Sequence, residues 1–392
     1  MTMETKTAVF QEYTAQYWSG TKFSKHEILT HVCFVTGVHR KAAIRKFSRL
    51  QTDDTEQHRS RGRTPVYTSD VTVALKSVWN TASEICAELL HPAVADYVFV
   101  LTRDHQWHHP EQTTRKLLRM SEATMKRRIA GFVRENRPHH GKGTTTPSAL
   151  KLTIPIFTGP WEGKPPGYGQ IDTVAHCGSS LAGDYAYTLN YTDAATLWSC
   201  QHAQWNKGKA ATRDSMRAIK ERLPFRWLGA HPDTGSEFIN DWVVAWCKRH
   251  RIEYTRSRPN HKNDNMYVEE RNGHVIRKFA GYTRWDAPGT VDILNDLYDT
   301  LSLYLNHFVP VRKCVRKEKV GSRYIRHYDT ATTPYQRVMD HPAVPPVVKE
   351  RLIRVHTTLN PLMLKQKIDQ ITRKLYDGQR RYAAEKNLTG VR

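Results

Sequence analysis

The sequence has few of the features that mark secreted or membrane-spanning chains. Only six cysteines occur in 392 residues, and they lie far apart with no paired spacing, which argues against a disulfide scaffold. No run approaches the roughly 18 uninterrupted apolar residues of a membrane helix. The first residues, Met1 to Lys6, lack the apolar segment of a secretory signal. We therefore expect a reducing, cytoplasmic location and no membrane partner.

Acidic residues are scarce relative to basic ones. The chain carries 38 Asp and Glu against 60 Lys and Arg, a formal net charge of +22. The excess lies at the two ends, with +8 in residues 1–150, +2 in residues 151–310 and +12 in residues 311–392. Basic ends can neutralise phosphates while a nearly neutral centre keeps its carboxylates for another task. The pattern favours a polyanionic partner, with a basic solvated surface as the alternative.

Residues 24–50 read as two short helices separated at Thr36 and Gly37. The second helix is basic, as a recognition helix in a major groove would be, and an ordinary helical hairpin is the alternative. Residues 1–60 are therefore predicted to form a first helix-turn-helix domain. Its candidate DNA contacts are Arg40, Lys41 and Arg45.

A second helix-turn-helix domain is predicted over residues 61–140. Its basic start, around Arg61 and Arg63, suits a narrow minor groove or a flexible linker. One helix is predicted from Ser69 to Leu90, and another follows a cap at Ser121. The candidate DNA contacts in that last helix are Lys126, Arg127 and Arg128. Residues 141–165, rich in Pro, Gly and Thr, are predicted to be a linker that becomes ordered against DNA or another subunit.

From Gly167 the pattern changes to alternating, β-branched segments. The predicted elements are three strands, a helix, a strand, a helix, a strand and a helix, which is the element order of the ribonuclease-H-like fold. Their ranges are 168–175, 185–191, 196–202, 209–223, 226–231, 236–250 and 251–256, with the last helix beginning near Val268. The α/β core is predicted to span residues 166–310.

Three acids fall at defined places in this order. Asp172 lies in the middle of the first strand, where an unpaired charge is costly unless it binds a metal. Asp233 ends the fourth strand, and Thr234 with Glu237 has capping-box spacing for the next helix. Glu269 opens the last helix, with Glu270 as the fallback if Glu269 faces away. A helix cap or surface charge is the alternative for each acid, and it is preferred for Glu237.

The chain resembles the DDE transposases and retroviral integrases, especially those of bacterial insertion sequences. Asp172, Asp233 and Glu269 match the two aspartates and the glutamate, with 35 residues between the last two. The Asp-x-Gly-x-Glu-Phe run at Asp233 and the Glu-x-x-Asn run at Glu269 support the match. One departure is that the position seven after Glu269, often basic in the family, is Ile276. The basic residues that can substitute for it in gripping DNA are Arg271, Arg277 and Lys278.

The resemblance implies a DNA transposase. The three acids would hold two Mg²⁺ or Mn²⁺ ions, and water would cut the ends of an element to leave 3′-OH groups that then attack target DNA. It also implies homo-oligomers on paired terminal repeats and a bacterial, nucleoid-associated location. The alternatives are a metal-dependent nuclease of the same fold without strand transfer and a DNA-binding regulator without catalysis.

Residues 311–392 are predicted to be a basic, partly helical region for DNA binding and assembly. A solvated basic face is the alternative. Its candidate DNA contacts are Arg312, Lys313, Arg316 and Lys317. A helix after Asn360 has an apolar stripe of Leu364, Ile368, Ile371 and Leu375, for which a second subunit is the favoured partner and the same chain the alternative.

Overall fold

The computed structural model describes residues 3–52, 66–133, 154–157, 159, 161, 163–233, 235, 237–258, 265–320 and 323–388. The chain divides into two compact units, Met1–Val66 and Tyr67–Arg392. Arg61 and Arg63 lie outside the described residues, as do residues 134–140 of the predicted second helix-turn-helix domain and residues 141–153 of the predicted linker. The finer division of the second unit into domains stays a prediction.

The first unit is built from three helices, α1 (Met3–Ser19), α2 (Lys22–Thr36) and α3 (Arg40–Thr52). Their shared core contains the stacked rings of Tyr17 and Phe47, whose centroids are 4.3 Å apart. Gly37 ends α2 in the left-handed conformation, with φ at 66°, where a side chain would be strained. The predicted break between two helices is confirmed, and the DNA-binding role of the pair stays a prediction.

The second unit opens with four helices, α4 (Ser69–Thr81), α5 (Ala87–Arg103), α6 (Glu111–Leu118) and α7 (Glu122–Val133). The single helix predicted from Ser69 to Leu90 is wrong. Ser83 and Glu84 adopt positive φ, and the Trp79 indole donates to the Ile85 carbonyl at 2.9 Å, which closes a turn between α4 and α5. The apolar spacing continues across this turn, so periodicity alone did not reveal it.

A five-stranded mixed sheet forms the centre of the second unit, in the order β3-β2-β1-β4-β5. The first three strands are antiparallel, whereas β4 pairs parallel with β1 and β5 parallel with β4. The strands are β1 (Tyr168–Ala175), β2 (Tyr187–Asp193), β3 (Ser199–Gln204), β4 (Gly229–Pro232) and β5 (Glu253–Tyr254). The predicted meander and the predicted order of elements are therefore confirmed, with boundaries shifted by a few residues.

Helices cover the sheet. They are α8 (Lys209–Arg222), α9 (Asp241–Arg249), α10 (Met266–Arg271), a π-helical segment (Asn272–Arg277), α11 (Lys278–Ala280) and α12 (Thr290–Phe308). The Asn306 side chain fixes α12 to β3 by accepting from the Ser199 amide and donating to its carbonyl. The predicted capping box at Glu237 is wrong, because Asn240 caps α9 by accepting from two backbone amides.

The C-terminal region begins with a two-stranded antiparallel ribbon that the sequence analysis missed. It consists of β6 (Cys314–Val320) and β7 (Arg323–Tyr328), followed by α13 (Pro334–Asp340), α14 (Pro346–Thr358) and α15 (Pro361–Leu388). The apolar stripe of α15 packs into the same core cluster as α12. The second-subunit partner favoured for this stripe is therefore wrong, since the stripe is covered by its own chain.

The end of the predicted linker joins the sheet. Ile154 is buried in the core, and the Phe157 amide donates to the Arg256 carbonyl at 3.0 Å, just beyond β5. The prediction that this part orders only against DNA or another subunit is wrong for residues 154–157. Among the described helices, we find none with the length and apolar character needed to cross a membrane.

Candidate active site

The sheet register places Asp172 and Asp233 next to each other. Ile171 of β1 pairs with Pro232 of β4 in a parallel ladder. The next residue of each segment therefore lies beside the other, at the spacing of about 4.8 Å between neighbouring strands. Asp172 lies inside β1, and Asp233 lies directly after β4. The two aspartates predicted from the sequence are therefore brought together by backbone pairing.

These two carboxylates oppose each other's ionisation. Burial, and then the negative charge of Asp233, raise the pKa of Asp172 well above its usual range. A hydrogen bond from the Asn272 amide, at 2.5 Å, acts in the opposite direction. The site is thus rich in buried negative charge, which a proton or a cation would stabilise.

Glu237 is a third acid close to this pair. Burial raises its pKa, and Asp233 adds to the effect, while the charge of Glu237 in turn raises the pKa of Asp172. Gly235 allows the approach: a Cβ atom there would lie 2.7 Å from Glu237 Oε2 and 3.0 Å from Asp233 Oδ1. The interpretation of Glu237 as a cap or a surface charge is therefore wrong.

A chain of side-chain amides ends at Asp172. Gln201 of β3 donates to Asn190 of β2 at 3.0 Å, Asn190 donates to Asn272 at 2.8 Å, and Asn272 donates to Asp172. Each amide is oriented by the one before it, so Asn272 is held as a donor toward the carboxylate. Asn272 was noted only as part of the Glu-x-x-Asn run, and its role depends on contacts between elements that no spacing reveals.

β1 also holds the start of α10. The Gln170 side-chain carbonyl accepts from the amides of Tyr267 at 2.9 Å and Val268 at 3.2 Å, and so caps amides in the first turn of a helix, which receive no bond from within the helix. Gln170 and Asp172 lie two residues apart and share one face of β1. Both therefore bind the segment that carries Glu269.

Glu269 occupies a different position from the aspartate pair. Its exposed side chain, like that of Glu270, lines an open groove of about 840 Å³ whose lining does not include Asp172 or Asp233. Glu269 is one helical turn before Asn272, which touches Asp172. Within the described part of the chain, no group of three or more His, Cys, Asp or Glu side chains is arranged to hold a metal ion.

The candidate DNA contacts around Glu269 are largely engaged within the chain. Arg271 is buried, Arg277 donates to the Ala175 carbonyl at 3.0 Å, and Lys278 donates to the Ser83 carbonyl. Burial lowers the pKa of all three. Ile276 is fully buried, so the position that is often basic in the resembled family lies in the core here.

The other candidate contacts differ in accessibility. Lys41, Arg45 and Arg127 are exposed, and Arg45 and Arg127 donate hydrogen bonds only one turn back along their own helices. The other candidates contact residues elsewhere in the chain or along their own strand: Arg40 contacts Thr30 and His26, Lys126 contacts Glu88, Arg128 contacts Tyr67 and Thr72, Arg312 contacts Glu88, Lys313 contacts Ala195, and Arg316 contacts Glu318. Lys317 lies in β6.

Comparison with known proteins identifies one close relative. No family model matches the chain. The chain is 31% identical over 350 residues to the uncharacterized protein y4rM of Sinorhizobium fredii (strain NBRC 101917 / NGR234), covering 89% of this chain and 96% of that protein.

Two solved structures are similar to parts of the chain. One is the HTLV-2 integrase catalytic core domain in complex with magnesium, in a dimeric form, with 14% identity, covering 38% of this chain and 93% of that one. The other is the catalytic core domain of BIV integrase, with 15% identity, covering 43% and 91%. Both have a TM-score of 0.29.

Proposed function

The chain belongs to the family of y4rM, and from that premise and the site geometry we propose that it is a DNA transposase that cuts and joins DNA by phosphoryl transfer. The observation that carries this proposal is the pairing of Asp172 with Asp233 on adjacent strands, with a raised pKa at Asp172. Two half-buried carboxylates side by side suit a divalent cation. The order of the surrounding elements supports the same assignment.

Asp172 and Asp233 would hold Mg²⁺ or Mn²⁺, and Glu269 would complete the set for two ions. Such ions, when bound, activate the attacking oxygen and stabilise the leaving one. Asn272 keeps one oxygen of Asp172 oriented, and Gln170 fixes the helix that carries Glu269 against β1. In the cut, the oxygen of water bonds to phosphorus, the bond to the 3′ oxygen breaks, and that oxygen takes up a proton.

DNA is the proposed partner, and its contacts would come from the two helical regions and the basic C-terminal region. The exposed Lys41, Arg45 and Arg127 are the strongest candidates in the helical regions. Terminal repeats of a mobile element, target DNA and assembly of several copies on paired ends remain part of the proposal.

The test is Mn²⁺-dependent nicking of a supercoiled plasmid by the full chain. We expect Glu269→Gln to lower the rate at least about 100-fold, because it removes a proposed ligand. Glu221→Gln removes the same charge from an exposed position on α8, outside the site, and should leave the rate within about twofold of wild type. Equal rates for wild type and Glu269→Gln would reject Glu269 as a ligand.

A second assay separates the transposase from a nuclease of the same fold. Precut duplexes copied from the DNA on either side of the coding gene, with free 3′-OH ends, are incubated with a target plasmid. Joined products are expected from a transposase, and nicking without joining would favour the nuclease. Absence of both activities, with DNA binding retained, would favour a regulator.

A further inference from the structure

The groove beside Glu269 is lined by distant parts of the chain. Residues around the start of α5 and the end of α12 line it, as do the segment from α10 to α11, including Glu269 and Glu270, and the β6–β7 ribbon, including Arg326 and Tyr328. Arg326 and Tyr328 are two residues apart on β7, so they share one face of the ribbon. This ribbon face is therefore turned toward the groove.

The opposite face of the ribbon has different partners. The register pairs Arg316 with His327, Glu318 with Ile325 and Val320 with Arg323, which places these residues on the face away from Arg326. Arg316 forms an ion pair with Glu318 at 2.9 Å. One face of the ribbon therefore carries an ion pair between its own residues. The other face carries the exposed Arg326 and the half-exposed Tyr328 and borders the groove.

The base of the ribbon is held firmly. Asp329 accepts from the Lys313 amide at 2.7 Å and forms an ion pair with Arg337 at 2.6 Å, and Arg337 also donates to the Val311 carbonyl at 2.9 Å. Both charged groups of the ion pair are largely shielded from solvent. The ribbon is consequently fixed beside the groove at its base.

We infer that this groove is a binding site for a DNA strand, clamped between the β6–β7 ribbon and the α10–α11 segment. Arg326 neutralises a phosphate and Tyr328 provides a face on which a base stacks. Its volume of about 840 Å³ lies within the roughly 300–1,000 Å³ of small-ligand sites, a size that suits a few nucleotides of a single strand. The inference deepens the proposed function and rests on it.

The test is DNA binding by the full chain in EDTA, measured by fluorescence anisotropy with labelled single-stranded and duplex oligonucleotides over a range of salt concentrations. Arg326→Ala should reduce the salt slope on single-stranded DNA by about 0.7, the value for one lost phosphate contact. Arg323→Ala removes the same charge from the opposite face and should keep the wild-type slope. Equal slopes for Arg326→Ala and Arg323→Ala would overturn the inference.

The aromatic contact has its own test. Tyr328→Ala should weaken binding of the single strand about 10-fold with little change in slope, and Tyr328→Phe should restore it, because stacking needs the ring and not the hydroxyl. An equal loss on the blunt duplex would show a duplex-binding ribbon and overturn the single-strand assignment. If wild type binds DNA and both Arg326→Ala and Tyr328→Ala bind it as wild type does, the groove assignment fails while the proposed function stands. If wild type binds no DNA, the proposed function itself fails.

Discussion

The aspartate pair and the groove both border α10, yet they are built by different kinds of contact. Asp172 and Asp233 are set by the parallel pairing of β1 with β4, a regular backbone register between two strands that are far apart along the chain. The groove is set by the meeting of α10, the start of α5 and a ribbon more than 40 residues further along the chain. Strand pattern therefore reveals the first site, whereas the second emerges only from tertiary packing.

The largest expected effect is on the aspartate pair. Asp172→Asn and Asp233→Asn should each reduce Mn²⁺-dependent plasmid nicking at least about 1,000-fold, because each removes a ligand of the ions that stabilise the transition state. Asp214→Asn, on the exposed surface of α8, is the charge-matched control. If Asp172→Asn nicks the plasmid at the wild-type rate, the aspartate pair is not catalytic, and the proposed difference between a catalytic pair and a binding groove is wrong.

An added side-chain atom should destabilise β1 more than the π-helical segment at the groove. A Cβ atom on Gly169 of β1 would lie 2.2 Å from the buried ring of Tyr191, whereas one on Gly273 would meet nothing within 4 Å. Gly169→Ala should lower the free energy of unfolding by about 3 kcal/mol, while Gly273→Ala should change it by less than about 1 kcal/mol. Urea denaturation measures both, and equal effects would contradict the packing described for β1.

Buried and exposed histidines should also differ in their effect on the pH dependence of stability. Burial, and then the charge of His356, lower the pKa of His307 to about 3. The unfolded pKa is about 6.5, so below that pH protons bind His307 in the unfolded chain but not in the folded one. The free energy of unfolding is therefore unaffected by His307 above pH 6.5 and falls as the pH is lowered below it. His307→Gln should therefore recover about 2 kcal/mol of the stability that wild type loses between about pH 7 and pH 5.

The matched control for this pH series is His274→Gln, which changes an exposed side chain at the groove. Its melting temperature should follow that of wild type across the series. A His307→Gln profile parallel to wild type would show that His307 does not titrate during acid unfolding.

The smallest expected effect tests the amide chain. Asn272→Ala removes the hydrogen bond to Asp172 and should lower the nicking rate about 10-fold, with the apparent affinity for Mn²⁺ lowered by a similar factor. Asn272→Gln, which keeps the amide on a longer arm, should recover part of both. A change in rate without any change in Mn²⁺ dependence would show that Asn272 does not act through Asp172.

The sequence predicted the elements whose signal is local. Alternation in residues 168–175 located β1, and Asp172 stood out as a charge within it. The ribbon was missed because β6 is mostly charged and β7 mixes arginines with aromatic residues, so neither strand shows a regular apolar alternation. The partner of the α15 stripe was misassigned because an amphipathic pattern shows that a face is buried without showing what covers it.

The same limit applies within the site. Gln170, Asn190 and Asn272 are polar residues of unremarkable spacing, and their function depends on which strand lies beside which. Glu237 was judged by its capping-box spacing, but α9 begins four residues later, and the glutamate turns toward Asp233 instead. Motif spacing identified the aspartates, and the packing around them identified their neighbours.

The most direct measurement is the position of Mn²⁺ in crystals of the full chain soaked with that ion, located by anomalous scattering. The account predicts a peak within about 2.2 Å of a carboxylate oxygen of both Asp172 and Asp233. A peak bound only elsewhere, with these two carboxylates sharing a proton, would contradict it.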